Sequence, residues 1–132
     1  MSNYATTQKL ISEFYEEGDI DQVFFAEILA TARCGDESKV LRKSDEEVFH
    51  DALEICRLLI GRGDFSLCRR TARRDEFEVS VLDLSFVEQM LATYQSDASE
   101  RDHEFALFLQ NTQPGVPAPI FSESELSRLR LE

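Results

Sequence analysis

The 132-residue chain carries 26 acidic against 14 basic residues, a formal charge of −12, with 42% apolar residues that include ten Phe. That length fits one domain able to bury about 65% of its extended-chain surface, and the apolar content excludes a disordered chain. The charge repels nucleic acid and anionic membranes and favours encounter with a basic partner.

From the N-terminus, MSNYATTQKL lacks a basic and then apolar leader, and no apolar run approaches the ~20 residues of a membrane helix, so a cytoplasmic protein is expected. Leu10, Ile11, Phe14 and Tyr15 place an apolar face on a first helix over about Thr6–Glu17, with Gly18 as its stop. A second helix is expected to start at Asp19, with Gln22 as reciprocal cap, and to run over Ile20–Cys34. Phe24, Phe25, Ile28 and Leu29 give it more apolar circumference than one neighbour covers. Either the rest of the chain or a second copy in a homodimer must cover the excess. The loop 35–43 is polar, with Val40 and Leu41 as tethers to the core.

The best-defined helix is Ser44–Gly61, SDEEVFHDALEICRLLIG. Val48, Ala52, Ile55 and Leu59 form one stripe, and Phe49, Leu53, Cys56 and Ile60 a second beside it. Ser44 and Glu47 form a capping box, and Gly61 and Gly63 supply the stop. So broad an apolar face places this helix at the centre of the core, with Glu46, Glu47, His50, Asp51, Glu54 and Arg57 on the outward face. Beyond it the period changes to two: Phe65–Thr71 and Glu76–Leu82 read as an antiparallel hairpin around Ala72–Asp75. Ser85 and Glu88 cap a further helix carrying Phe86, Val87, Met90, Leu91 and Tyr94. Residues 95–104 are polar, Phe105–Leu109 is a third strand, and Pro114, Pro117 and Pro119 make 113–120 extended. Ser122 and Glu125 cap a last short helix bearing Leu126 and Leu129, and Leu131–Glu132 is assigned no role. The fold expected is α+β and mostly helical: antiparallel helices around the central helix 44–61, with a small β-hairpin or three-stranded sheet. Residues 1–112 form the domain, and 113–132 an extended linker and short helix packed on or near it.

Chemistry is sparse. Cys34, Cys56 and Cys68 lack ligand spacing, and Cys56 reads as a small buried hydrophobe. His50 with Glu46 and Glu54 on one helix face, and His103 beside Asp102 and Glu104, are the nearest approaches to a metal or general-base site. Neither has the convergence that chemistry requires. Gly61–Asp64 lacks the Lys and Ser/Thr of a phosphate loop. No enzyme, cofactor or metal is therefore expected, and a small metal-dependent enzyme is the third-ranked reading. The second is a winged-helix-like nucleic-acid binder using Arg69, Arg70, Arg73 and Arg74 at the hairpin tip. Against it, the helix that would enter the groove begins with Asp45, Glu46 and Glu47, and Asp75, Glu76 and Glu78 can pair the arginines.

In size and composition, though in no residue motif, the chain is similar to bacterial immunity and inhibitor proteins that block a toxin domain. That resemblance and the charge imply a non-enzymatic protein-binding module, an inhibitor of a basic toxin or nuclease domain. The acidic surface expected to meet the partner comprises Glu46, Glu47, Asp51 and Glu54 on the central helix and Glu16, Glu17, Asp19 and Asp21 near the first turn, with Glu13 beside them.

Overall fold

The structure, a computed structural model, describes residues 4–35, 43–73, 76–93 and 107–131, with backbone alone over 70–73, 76–80 and 90–93. It is an α+β fold, mostly helical. In chain order the elements are α1 (Ala5–Ile20), β1 (Val23–Phe24), α2 (Phe25–Cys34), α3 (Asp45–Gly61), β2 (Phe65–Arg73), β3 (Glu76–Leu82), α4 (Leu84–Thr93), β4 (Leu107–Asn111) and α5 (Glu123–Leu126). The strands form one antiparallel sheet of order β1-β4-β2-β3, four strands where a hairpin or three were expected.

Register explains how the sheet meets the helices. Val23 pairs with Leu109, Leu109 with Leu67, and Leu67 with Leu82, so one apolar row crosses all four strands. Directly paired residues share a face, and this row packs into the core with the helices. The next row, Phe24, Phe108, Cys68 and Val81, lies on the opposite face. Phe108 and Cys68 are buried there, whereas Val81 is 71% exposed.

Helix α3 has both apolar stripes buried except Ile60, which is partly so, and it packs against α2, α4 and β2. Its capping box forms as the sequence predicts: Ser44 Oγ accepts from the Glu47 amide at 3.2 Å, and Glu47 Oε1 accepts from the Ser44 amide at 3.5 Å. The apolar excess of 20–34 is taken up largely within the chain. Phe25 and Ile28 are buried and Leu29 packs on the core, leaving Phe24 38% and Ile20 89% exposed. The hairpin has the predicted pairing, with β2 two residues longer. Val40 and Leu41, and all of 95–104, lie outside the described residues.

Four expectations need correction. Gly18 does not stop α1, which continues to Ile20. Its missing side chain serves packing instead: a Cβ there would lie 2.9 Å from the Phe65 ring and 3.2 Å from Asn111 Cβ. Asp19–Gln22 does not begin a helix, because Val23–Phe24 is drawn into the sheet by pairing with Phe108–Leu109. Helix α2 starts at Phe25, where Glu27 Oε2 accepts from the Phe24 amide at 3.0 Å. Asp83, not Ser85, caps α4: its Oδ1 accepts from the Phe86 amide at 3.2 Å and from the Ser85 hydroxyl. Finally, Leu131 is 2% exposed and belongs to the core cluster.

The C-terminal stretch is pinned along α1. Gln8 Nε2 donates to the Pro119 carbonyl at 3.0 Å, and Gln8 Oε1 accepts from the Phe121 amide at 2.9 Å. Phe121, Leu126, Leu129 and Leu131 then enter the core, and Ser122 with Glu125 caps α5 as the sequence predicts. No helix among the described residues is long and apolar enough to cross a membrane.

The packing at Gly18 yields a prediction of sign. Alanine gains up to about 1 kcal/mol of helix propensity over glycine, whereas forcing a methyl group into a filled core costs about 1–3 kcal/mol. Gly18→Ala should therefore lower stability by about 1 kcal/mol in urea unfolding, and Gly18→Val by more. A stabilised Gly18→Ala would mean that the Phe65 ring yields freely.

Candidate functional site

The acids singled out in the sequence fall into two groups with different surroundings. The first surrounds a cavity of about 300 Å³ at the start of α3, lined by Glu46, Glu47, His50, Asp51 and Arg130. Glu46 and His50 are exposed. Glu47 is committed inside the chain: besides the capping box, its Oε2 accepts from Arg130 Nη1 at 2.7 Å. Asp51 departs most from its expected place. It is 6% exposed, and its Oδ2 accepts from Lys43 Nζ at 2.6 Å. The Lys43 side chain is itself fully buried and also donates to the Ala32 carbonyl at 2.8 Å. Lys43 thus ties the end of α2 to the middle of α3. Glu54 is paired with Arg57 at 3.2 Å.

The second group lies on α1 and the turn after it. Glu13, Glu16 and Glu17 are exposed. Asp19 is not a free surface acid: its Oδ1 accepts from Asn111 Nδ2 at 3.3 Å and from the Gly115 amide at 2.8 Å, clamping the exit from β4. Asp21 Oδ1 accepts from the Gln22 amide at 2.7 Å. Although the side chain is exposed, the protein atoms around it take away part of its hydration and push the Glu17 carboxyl above the ordinary carboxylate range, and the charges of Glu27 and Glu13 push it the same way. Crowding is therefore between α1 and α2, with no contribution from the acids of α3.

Of the four hairpin arginines, Arg69 alone has a described side chain. The Arg69 guanidinium lies over the Phe86 ring, 4.9 Å from its centroid, and Arg69 Nε is buried without a hydrogen bond. In the register Arg73 stands opposite Glu76, and Thr71 opposite Glu78. The side chains of Arg70, Arg73 and Arg74 lie outside the described residues, as do Asp75 and His103.

Among the described residues no group of three or more His, Cys, Asp or Glu side chains is placed to hold a metal ion, so Glu46, His50 and Glu54 do not converge on one. Burial pushes the Cys56 thiol up to about 12, which leaves it protonated and unreactive at neutral pH. No protein-family model, curated protein or solved structure matches the chain.

Sequence reasoning missed the Lys43–Asp51 pair. Lys43 ends a polar loop and reads as solvated, whereas Asp51 carried a faint signal, standing three residues after Val48 and four before Ile55. The pair makes a contrast measurable. Removing one partner leaves a buried charge uncompensated, so Lys43→Met should cost about 3–5 kcal/mol in urea unfolding. Lys43→Met with Asp51→Leu should recover most of that loss. A double variant as unstable as the single one would show that the pair is not the source of the cost.

Proposed function

We propose that the chain is a non-enzymatic, acidic protein-binding module whose partner presents a basic surface, in the manner of an inhibitor that covers a toxin or nuclease domain. The observation that carries this reading is the exposed carboxylate group of α1, Glu13, Glu16 and Glu17, with Glu27 of α2 near enough to act on Glu17. Glu17 is held out of its ordinary proton equilibrium partly by Glu13 and Glu27. Such repulsion costs free energy in the isolated protein, and a cationic partner removes it.

The contact surface is narrower than the eight acids singled out. Asp19, Glu47 and Asp51 hold the chain's own elements together and Glu54 is paired with Arg57 within α3, which leaves Glu16, Glu17 and Asp21, with Glu13, as the principal group and Glu46 apart from them on α3. At −12 net charge the same surface disfavours nucleic acid, so a protein partner fits better than a duplex.

The sign of the Glu17 shift gives one test. Its proton is held more tightly in the folded than in the unfolded chain, so ionisation of Glu17 opposes folding, and stability falls as pH rises through its folded value. Glu17→Gln should raise stability at pH 7, with the gain vanishing below the carboxylate range. Carbon-detected NMR titration should show Glu17 moving back toward ordinary values in Glu13→Gln and Glu27→Gln. A Glu17 titration unmoved by either substitution would remove the crowding on which the proposal rests.

Capture from a host lysate gives the second. Immobilised wild type should retain at low salt a basic protein that the combined Glu13→Gln, Glu16→Gln and Glu17→Gln variant does not. The retained protein should be released as salt rises. Its nuclease or toxic activity should be present alone and absent in the complex. The same proteins on both resins would sink the binding-module reading, and a partner whose activity is unaffected would sink the inhibitor form.

A further inference from the structure

The surface at the far end of α3 has the opposite character. A cleft of about 270 Å³ lies between the second half of α3, the start of α4 and the turn that follows α5. Leu58, Leu84 and Leu129 line its apolar part, and Arg57, Arg62 and Arg128 stand around it with Glu54 and Glu125. None of the crowded acids of α1 borders it.

The arginines are not fully used. Arg57 Nη1 donates to Glu54 at 3.2 Å. Arg62 is held in place by the Phe121 ring, 5.1 Å from its guanidinium carbon, yet Asp64 and Glu125 both stand 3.7 Å from it, beyond hydrogen-bond length. Arg128 is exposed and makes no ion pair or hydrogen bond among the described residues. Two guanidiniums therefore present unfilled donors at one cleft, the first oriented in advance by an aromatic ring.

We propose that this cleft binds a small monocarboxylate carrying an apolar group. A carboxylate accepts two parallel N–H bonds from a guanidinium fork, which supplies what Arg62 and Arg128 lack. Charge selects a monoanion. The lining holds three arginines against two glutamates, Asp64 adds a further negative charge beside Arg62, and the carbonyl end of α3 adds negative potential, all of which a dianion would meet more strongly than a monoanion. The leucines take the ligand's apolar part, and the volume is at the small end for ligand pockets, suited to a short chain or a single ring.

Hexanoate tests the assignment, titrated into isotope-labelled full-length protein and followed by amide NMR, with hexanol and inorganic phosphate as comparison probes. Saturable millimolar binding of hexanoate is expected, with shifts concentrated at 54–62, 84 and 125–129. Arg128→Gln, which removes an exposed side chain, and Arg62→Gln should each weaken it about tenfold, with the amide spectrum elsewhere unchanged to show an intact fold. Hexanol shifting the same amides equally would overturn carboxylate recognition. Phosphate binding as tightly as hexanoate would overturn the monoanion assignment, and undiminished hexanoate affinity in both arginine variants would overturn the location. The partner-capture experiment does not involve this cleft, so either proposal can fail alone.

Discussion

The structure depends on how closely α1 approaches the sheet. At Gly18 the Phe65 ring comes within a distance no side chain would allow, and one turn earlier the Tyr15 hydroxyl donates to Asp64 Oδ2 at 2.6 Å. The two rings meet edge to face at 5.1 Å between centroids, a favourable arrangement for aromatic pairs. Asp19 then takes hold of Asn111 and Gly115, and Gln8 fixes the backbone at 119 and 121. One helix near the N-terminus thereby gathers the start of β2, the end of β4 and the C-terminal stretch, contacts separated by tens of residues in sequence. Burial and the Asp64 carboxylate push the Tyr15 hydroxyl far up. It remains a donor at neutral pH, and this corner loses stability only above the pH at which an unfolded tyrosine ionises.

The features legible in the sequence are those whose cause is local. The two stripes of α3, the period of two in β2 and β3, and the capping boxes at Ser44 and Ser122 each need only their own few residues. Those misread have a cause elsewhere in the chain. Glycine in a helix interior costs up to about 1 kcal/mol, and by that local measure Gly18 reads as a stop. Phe65, 47 positions away, reverses that balance. Val23–Phe24 has no strand period of its own, being two residues long, and takes its conformation from Phe108–Leu109. Leu131 carries no local signal from which to assign a role, and only the assembled core shows the space it fills. Gln8 gave no signal, since both its backbone partners are more than a hundred residues distant.

The candidate site shows the same division. Composition tells how many acids there are, and helical spacing tells which face of a helix they share. Neither tells which are already occupied. Glu47 answers to Arg130, Asp51 to Lys43, and Asp19 to Asn111 and Gly115, none of them readable as pairs before the chain is folded. Subtracting those commitments moves the candidate surface away from α3, the most conspicuous acidic helix in the sequence, and onto α1.

Carboxylates in this protein consequently pull its pH response in two directions. Hydrogen bonds donated at the starts of α4 and α5 hold Asp83 and Glu125 below their ordinary values. Those caps stabilise the fold above the carboxylate range and are lost as pH falls through the folded values. Glu17 works the other way, because partial loss of hydration and its acidic neighbours make the neutral form the one that folding prefers. Mild acidification therefore relieves α1 before it weakens the caps, since a raised value is reached first on the way down. A cationic surface laid over α1 would relieve the same repulsion at neutral pH without touching the caps.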